Sequence, residues 1–270
     1  MTRTNSKYTR IYVNGYEISC QASNIGTVGY SQDAPMVAAY CDEVLNTVLG
    51  HSTIQCGPIN AFLSPSDTTG IHEVFDAGND IANIMIAFGT LEIPAAGDPV
   101  FAWTMQQGEY TAQGDGVVGV NIGFPNAAYS TVKGYHSPFG KLVHAKGAET
   151  AVNSALATID NGVASTAGGI FAYQLFSSNG PVTLSLDDAA TNSSPFFSAL
   201  SGATSGEINA STAPLSGMVA LGTTATVRRF IRWQIAFGLG IGAFTIVYFW
   251  LFNIFIRARQ LSAKFLNLNN

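Results

Sequence analysis

The run from Gln234 to Ile256 constrains the fold most, because it holds twenty-three uncharged residues between basic residues on either side. A span of about 20 apolar residues is long enough to cross a bilayer as a helix. Its composition argues against a helix, since eight of the ten residues from Ala243 to Phe252 are aromatic or β-branched. Residues of these types favour a pleated, packed strand. The run therefore indicates extended structure.

The residues at the start of the run alternate between polar and apolar side chains. Arg228, Arg232 and Gln234 alternate with an apolar set, namely Ile231, Trp233, Ile235 and Phe237. This period of two is that of a strand. Gly238, Gly240 and Gly242 then interrupt the run where a chain reversal would need them. We predict a hairpin of strands Ala225–Phe237 and Ala243–Asn253, in which the second strand must be covered on both of its apolar faces.

A membrane anchor is the alternative reading of the same run. Gly238 and Gly242 have the spacing by which transmembrane helices approach one another. Basic residues flank both ends equally, so the positive-inside rule assigns no orientation. A C-terminally anchored membrane protein therefore stays open as a hypothesis.

The distribution of charge restricts the functions of the chain. Only 11% of its 270 residues are charged, and the formal net charge is −5. All seventeen acidic residues lie between Glu17 and Glu207, whereas six of the twelve basic residues follow Val227. The body has no basic cluster with which to grip nucleic acid. We expect DNA to pass such a surface without specific binding.

Short apolar or alternating runs, separated by Gly, Pro and Asp, predict an all-β chain with one or two short helices. A hairpin is predicted at Ile11–Ile18 around Asn14-Gly15, one amphipathic helix from Val37 to Val48, and a short helix at Ile71–Ala77. The predicted strands of the first half are Ser52–Leu63, Ile81–Phe88, Pro99–Ala112 and Val117–Phe124. Those of the second half, before the C-terminal pair, are Lys141–Ala145, Gly168–Ser177, Pro181–Asp187 and Gly217–Leu221.

The domain organisation follows from these runs and from a stretch poor in bulky aliphatic residues at 125–140. We predict an N-terminal arm at 1–10, a β domain at 11–130, a second β-sandwich domain at 131–256 and a C-terminal tail at 257–270. The short strands and polar turns of the second half are typical of a sandwich.

The candidates for chemistry do not assemble into a catalyst. The histidines are scattered and lack the spacing of metal ligands; they are His51, His72, His136 and His144. Cys20, Cys41 and Cys56 cannot all pair within the chain, so we interpret them as reduced, mostly buried thiols. Asp187 and Asp188 are adjacent, which suggests a solvated turn or at most a cation site. The sequence therefore predicts no catalytic, cofactor-binding or metal-binding residues, and no enzyme.

Two further groups of residues suggest packing rather than ligand binding. Arg228, Arg229 and Arg232 could bind phosphate or lipid headgroups, but structural or interface ion pairs are the favoured interpretation. The aromatic set Phe244, Tyr248, Trp250 and Phe252 could stack a ligand, but we expect it to lie in a core or an interface. The glycines of Gly238–Gly242 have no basic or hydroxyl partner for a phosphate.

Several short motifs, in this order, resemble the major tail proteins of long-tailed bacteriophages. The first opens the β domain at Ile11–Ser19. The others are Ala96–Phe101, Ser137–Val143, Ala172–Leu175, Val182–Asp188 and Thr226–Arg232. The resemblance covers nearly the whole chain, but members of that family typically end after the final strand. This chain continues through Asn253–Ile256 to Asn270.

The resemblance implies a tail-tube-like β-sandwich or barrel domain followed by an Ig-like or jelly-roll-like β-sandwich. It also implies a virion structural protein, assembled in the host cytoplasm, whose copies close into hexameric or pseudo-hexameric rings. Stacked rings would form the tube for DNA passage, in contact with other tail proteins. Closure of the ring would remove exposed strand edges. A capsid decoration or carbohydrate-binding module is a further alternative, suggested by the second sandwich.

Overall fold

The structure is a computed structural model of the chain. It describes residues 6–32, 36–37, 46–47, 52–63, 70–75, 81–115, 117–124, 138–149, 151–178, 180–209, 215–222, 224–238 and 245–252. Over this part of the chain it is all-β, with one α-helix, α1, at Ile71–Phe75 and two 3-10 turns at Ser6–Tyr8 and Ser194–Phe196. The predicted fold class is confirmed.

The largest sheet has nine strands and includes strands from both halves of the chain. Eight of them run in the order β19-β16-β21-β13-β10-β9-β1-β2, and β14 pairs with β21. Their bounds are β1 Thr9–Val13, β2 Tyr16–Glu17, β9 Ile81–Phe88, β10 Pro99–Gln106, β13 Phe139–His144, β14 Ala148–Glu149, β16 Ile170–Ser178, β19 Leu215–Ala220 and β21 Thr245–Phe252. We call it the large sheet.

Two four-stranded sheets lie on the large sheet. The first, the edge sheet, has the order β11-β12-β8-β3. Its strands are β3 Ala22–Ile25, β8 Ile59–Phe62, β11 Glu109–Asp115 and β12 Val117–Gly123. The second, the ion-pair sheet, has the order β15-β20-β17-β18. Its strands are β15 Ile159–Asp160, β17 Val182–Ala189, β18 Ser198–Ile208 and β20 Phe230–Phe237.

Two short ribbons complete the described strands. β4 Val28–Gln32 pairs with β7 Ser52–Cys56, and β5 Met36–Val37 pairs with β6 Asn46–Thr47. Both pairs are antiparallel and stand outside the larger sheets.

The described residues form two hydrophobic cores, one on each face of the large sheet. The first core lies between the large sheet, the edge sheet and α1, and includes Ile84, Phe101, Ile122 and Phe75. The second lies between the large sheet and the ion-pair sheet, and includes Leu184, Ile231 and Trp233.

The middle of the large sheet contributes to both cores because successive side chains point to opposite faces. In β16, Ile170 and Ala172 belong to the first core, while Phe171 and Tyr173 belong to the second. This two-sided burial explains why such strands are apolar at nearly every position.

The predicted N-terminal hairpin is confirmed. Tyr12 pairs with Glu17 and Val13 with Tyr16 around the two-residue turn Asn14-Gly15. Both turn residues have positive φ, 50° and 85°, as a type I′ turn requires. The short helix predicted at Ile71–Ala77 is also confirmed over Ile71–Phe75.

The predicted C-terminal hairpin is wrong in its pairing, although both of its strands form. β20 pairs with β15 and β17, whereas β21 pairs with β13, β14 and β16 of the large sheet. The physical reason is the number of apolar faces that each strand must bury against other parts of the protein. β20 alternates and suits a sheet with one core-facing side, whereas the two-sided apolar pattern of β21 suits the middle of the large sheet.

The helical reading of this run is wrong as well, since residues 230–237 and 245–252 are strands. Among the described residues, the structure contains no helix with the length and apolar character needed to cross a membrane.

The amphipathic helix predicted from Val37 to Val48 is wrong at the positions that the structure describes. Val37 pairs with Asn46, and Met36 with Thr47, as short antiparallel strands. Apolar residues at helical spacing predicted a helix here, but Met36–Val37 and Asn46–Thr47 pair as strands. That pairing depends on contacts between two separate segments, which the spacing of apolar residues does not encode. The residues between these strands lie outside the described part of the chain.

Several strand boundaries differ from the prediction at turns. Ser52–Leu63 is split into β7 and β8 at Gly57-Pro58, and Pro99–Ala112 into β10 and β11. The eleven-residue β18 is absent from the prediction because its Ser, Gly, Thr and Ala side chains are not typical of a strand.

Candidate assembly surface

The outer edge of β11 is a long and regular open strand edge in the described structure. β11 pairs with β12 over seven residues, from Glu109↔Gly123 to Asp115↔Val117, with no bulge. No other described strand pairs with its outer side. A regular edge of this length presents a row of backbone N–H and C=O groups to any strand that approaches it.

Most side chains of β11 are exposed. Thr111, Ala112 and Gln113 are exposed, while Tyr110 is half-buried and packs against the first core. The strand has no Lys and no Pro. Between Glu109 and Asp115, at its two ends, it therefore has no charged residue or Pro of the kind that protects an edge.

The edge of β18 provides the contrast, because it is long and exposed but irregular. Its register with β17 shifts twice, between Thr183 and Ser185 and between Ser185 and Asp187. Gly202 and Gly206 of β18 have positive φ values of 83° and 70°. Such bulges twist an edge away from further pairing. The two edges thus differ in their capacity to accept another strand.

The outward face of the edge sheet is polar apart from the exposed ring of Phe62, and carries no cation. None of its four strands contains Lys or Arg. A shallow cavity of about 410 Å³ on this face has amide and hydroxyl side chains along its wall, including Ser23, Asn60, Thr111, Gln113 and Asn121. The acidic residues of the sheet, Glu109 and Asp115, lie at the two ends of β11.

The strands β3 and β8 continue into the two-stranded ribbon of β4 and β7. The backbones of its two strands approach each other closely at Gly26 and Gly57. The N–H groups of these glycines donate to the Pro58 and Thr27 carbonyls at 2.8 and 2.7 Å. A Cβ atom at Gly57 would lie 2.6 Å from the Thr27 nitrogen, so only glycine allows this approach. Beyond this close approach, in β4, the side chain of Tyr30 is 56% exposed. A two-stranded ribbon is marginally stable in water on its own.

The candidate arginines lie in or next to β20 and form ion pairs within the chain. Arg232 is buried, and its Nε and Nη2 donate to one carboxylate oxygen of Asp187 at 3.0 and 2.8 Å. The guanidinium also lies 4.6 Å from the ring centre of Phe197. With its nitrogen turned toward Asp187, the Gln234 amide donates to the same carboxylate at 2.7 Å. The expected structural ion pairs are therefore present.

The other two arginines bind neighbouring carboxylates. The backbone N–H of Arg228 donates to Asp188 at 2.7 Å, and burial raises the pKa of that carboxyl. Arg229 donates from Nε and Nη2 to both carboxylate oxygens of Asp160 at 2.8 and 2.7 Å. These bonds and one from the Gly162 N–H lower the pKa of Asp160 to about 2.

The expectation that Asp187 and Asp188 form a solvated turn is wrong. Both lie in β17 and are buried, at 3% and 4% exposure. Hydrogen bonds from Arg232 and Arg228 offset the loss of hydration. Among the described residues, no three His, Cys, Asp or Glu side chains form a group suited to a metal ion.

The histidines have separate environments. His144 is buried with its ring 4.7 Å from that of Trp233, and His72 Nδ1 lies 3.0 Å from the Tyr110 hydroxyl. His51 and His136 lie outside the described residues.

The thiols divide by burial. Cys20 is exposed, so the expectation of mostly buried thiols fails for it. Cys56 is buried, and desolvation raises the pKa of its thiol to about 12. Cys41 lies outside the described residues.

The aromatic set and the glycine-rich segment are described only in part. Tyr248, Trp250 and Phe252 belong to β21, an interior strand of the large sheet. Gly238 donates its N–H to Pro181 at 2.8 Å. Phe244 and residues 239–242 lie outside the described part.

Neither a family model nor a curated protein matches this chain. Among solved structures, it is similar to the Dit protein of phage SPP1, described as a paradigm of the hub adsorption apparatus in phages that infect Gram-positive bacteria. The alignment covers 91% of this chain and 99% of the SPP1 protein, at 12% identity and a TM-score of 0.32. A similarity of this strength carries no argument about function.

Proposed function

We propose that this chain is a structural protein of a phage tail, and that its copies close into rings that stack into the tail tube. The ordered motifs from Ile11–Ser19 to Thr226–Arg232, which resemble major tail proteins, support the proposal. Its site of action is the virion tail, after assembly in the host cytoplasm, where it contacts other tail proteins.

The open edge of β11 is the observation that carries the proposal of self-association. A protein that acts as a monomer must protect such an edge, because it is a template for pairing with another chain. Here the edge is regular, exposed and free of Lys and Pro over Glu109–Asp115. Pairing of this edge with a second copy would satisfy its backbone groups, and closure of a ring would leave none open.

The polar face of the edge sheet supports the proposed passage for DNA. A surface with no Lys or Arg offers no cationic contacts to phosphate, so DNA would gain no counterion release by adhering to it. Thr111, Gln113 and Asn121 on this face are neutral, and Glu109 and Asp115 would repel phosphate. We therefore place this face toward the channel.

The ribbon of β4 and β7 is a second candidate contact between copies. It extends beyond the edge sheet and exposes Tyr30. Packing against a neighbouring copy would supply the burial that a two-stranded ribbon lacks.

Electron microscopy of the purified full chain tests the proposal. We expect rings or tubes in negative stain for the native sequence. The double substitution Thr111→Lys and Gln113→Lys should abolish them, because charged side chains on the exposed edge strand disfavour pairing with another strand.

The matched control is Ser201→Lys, which adds a lysine to the exposed but irregular edge of β18. This variant should assemble like the native chain. Only dispersed monomers for the native chain, under all solution conditions, would contradict the proposed function. Assembly that survives the β11 substitutions would exclude this edge as the contact.

A further inference from the structure

The dipeptide Asn-Gly occurs at Asn14-Gly15, Asn161-Gly162 and Asn179-Gly180. In this dipeptide the glycine nitrogen can attack Cγ of the asparagine, because glycine has no side chain to hinder the approach. A bond forms between that nitrogen and Cγ, the bond from Cγ to Nδ2 breaks, and ammonia leaves with the glycine amide proton. Water then opens the cyclic imide to aspartate or isoaspartate. Asn179 lies outside the described residues, so the structure compares the first two sites.

The Asn14-Gly15 site is fixed by hydrogen bonds at both of its residues. The Asn14 Oδ1 accepts the Asn83 N–H at 2.9 Å, and the Asn14 N–H donates to the Asn83 carbonyl at 3.3 Å. Gly15 is buried, and its N–H donates to the side-chain oxygen of Gln174. While these bonds are intact, the Asn14 side chain cannot rotate toward the Gly15 nitrogen, and that nitrogen cannot lose its proton to solvent.

The Asn161-Gly162 site has the opposite environment. The Asn161 Nδ2 is buried and has no hydrogen-bond partner among the described residues. A buried amide without a partner is unfavourable, so no hydrogen bond opposes its rotation out of this position. Gly162 is exposed, and its N–H donates at 2.7 Å to the Asp160 carboxylate, whose side chain is 45% exposed. Solvent therefore reaches the nitrogen that attacks.

We propose that Asn161 is a site of spontaneous deamidation in the folded protein, and that hydrogen bonds from Asn83 and to Gln174 protect the identical dipeptide at Asn14-Gly15. The reaction consumes one water molecule and releases ammonia. It is independent of the proposed ring assembly, because neither site lies in β11 or in the ribbon of β4 and β7.

The product changes the charge and the backbone at the edge of the ion-pair sheet. A carboxylate at residue 161 lies next to Asp160 in sequence, and it competes for the Arg229 guanidinium, which donates to Asp160 at 2.8 and 2.7 Å. Isoaspartate also lengthens the backbone by one atom. The Asn161 N–H donates to the Arg229 carbonyl at 2.9 Å, so this change disturbs the chain where β15 ends beside β20.

Incubation of the purified full chain at mildly alkaline pH in heavy-oxygen water tests the proposal. Peptide mapping by mass spectrometry measures the labelled product at each site. We expect the product at residue 161 to form at least about tenfold faster than at residue 14, the ratio expected when two buried hydrogen bonds must first break. In concentrated urea, where neither site is folded, the two rates should become similar.

Gln174→Leu tests the protection directly, because it removes the acceptor of the Gly15 N–H. We expect the rate at Asn14 to rise by about fivefold, as for the loss of one buried hydrogen bond. The rate at Asn161 should not change. Slow alkylation of the buried Cys56 shows that the variant stays folded. The matched control Gln113→Leu, at an exposed position, should leave both rates unchanged.

The native chain with and without urea decides the proposal even where the variant does not fold. Equal rates at the two sites in the folded chain, a faster rate at Asn14, or no labelled product at residue 161 would overturn it. An unchanged Asn14 rate in a folded Gln174→Leu chain would overturn the protection by Gln174.

Discussion

At the scale of single residues, adjacent carboxylates have different electrostatic roles. Asp187 belongs to a buried ion pair with Arg232, in which the guanidinium donates twice to the carboxylate. Asp188 points to the other face of β17 and accepts the N–H of Arg228, while burial raises the pKa of its carboxyl. The Asp187 carboxylate therefore neutralises the buried Arg232 cation, whereas the Asp188 carboxylate is disfavoured by its desolvation.

Asp187→Asn should lower the free energy of unfolding by about 3–5 kcal/mol, because it leaves the buried Arg232 cation without its counter-charge. Urea denaturation at neutral pH measures the change. Asp188→Asn is the neighbouring control, since an asparagine oxygen still accepts the Arg228 N–H. We expect Asp188→Asn to cost little or to stabilise the protein. Equal losses for the two variants would contradict these assignments.

The effect of Asp188 on stability should depend on pH. Its pKa is higher in the folded than in the unfolded state, so the folded protein holds the proton more tightly. The stability that this proton contributes is fully present below the ordinary pKa of 3.8 and is lost as the pH rises through the higher folded value. The free energy of unfolding of the native chain should therefore fall relative to that of Asp188→Asn as the pH rises through this range. Unfolding curves at a series of pH values would show a constant difference if this were wrong.

The two described thiols should differ in reactivity. The thiolate is the reactive form, and Cys56 is buried with a thiol pKa raised to about 12, whereas Cys20 is exposed. At mildly alkaline pH, iodoacetamide should modify Cys20 in the folded chain long before Cys56, as read by mass spectrometry. Labelling in denaturant, where both should react, is the control. Equal rates in the folded protein would place Cys56 at the surface.

At the scale of elements, local sequence patterns predicted correctly those turns and strands whose conformation depends on the residues within them. The turn Asn14-Gly15 formed as predicted because positive φ at two successive positions selects for Asn and Gly. Alternation in β20 placed Ile231, Trp233 and Ile235 in the second core. The same reasoning failed for β18, whose small polar residues form a strand because β17 offers them a partner.

Gly15→Ala should destabilise the protein by about 1–2 kcal/mol, because a side chain at φ 85° brings Cβ close to the following carbonyl oxygen. The thermal unfolding midpoint would fall accordingly. Gly29→Ala is the matched control, since its Cβ would meet no atom within 4 Å and its φ is not in the left-handed region. A larger loss for Gly29→Ala would contradict the role of the turn.

At the scale of the whole molecule, the large sheet curves so that its distant strands meet. Gln174 of β16 is buried; its side-chain oxygen accepts the Gly15 N–H, and its nitrogen donates to the Asn83 carbonyl at 3.1 Å. Asn83 also donates to Ser216 of β19. Tyr12 of β1 packs edge-to-face on Phe176 of β16. The N-terminal hairpin is thereby joined to strands more than 150 residues away in sequence.

Gln174→Leu should test this connection. It would leave the buried Gly15 N–H without its side-chain acceptor, at about 1–3 kcal/mol. It would also remove one of two donors to the Asn83 carbonyl, which still accepts the Asn14 N–H. Hydrogen exchange should show lower protection in both β1–β2 and β16. Gln113→Leu, on an exposed position of β11, should leave protection of these strands unchanged. Loss of protection confined to β16 would mean that the Gln174 side-chain amide does not connect the N-terminal hairpin to β16.

The sequence by itself determined most of the extended segments, where the tight turn lies and that both apolar faces of the last strand needed cover. These properties depend on side-chain type and on neighbours in sequence. The sequence did not determine β18 or the strands Met36–Val37 and Asn46–Thr47. Only the tertiary structure decided which strands pair, so β20 and β21 separated into two sheets and Met36–Val37 paired with Asn46–Thr47. It also decided that Asp187 is buried, because Arg232 is its partner across the strands. Pairing of distant segments depends on complementary surfaces that meet only after folding, and no local pattern encodes them.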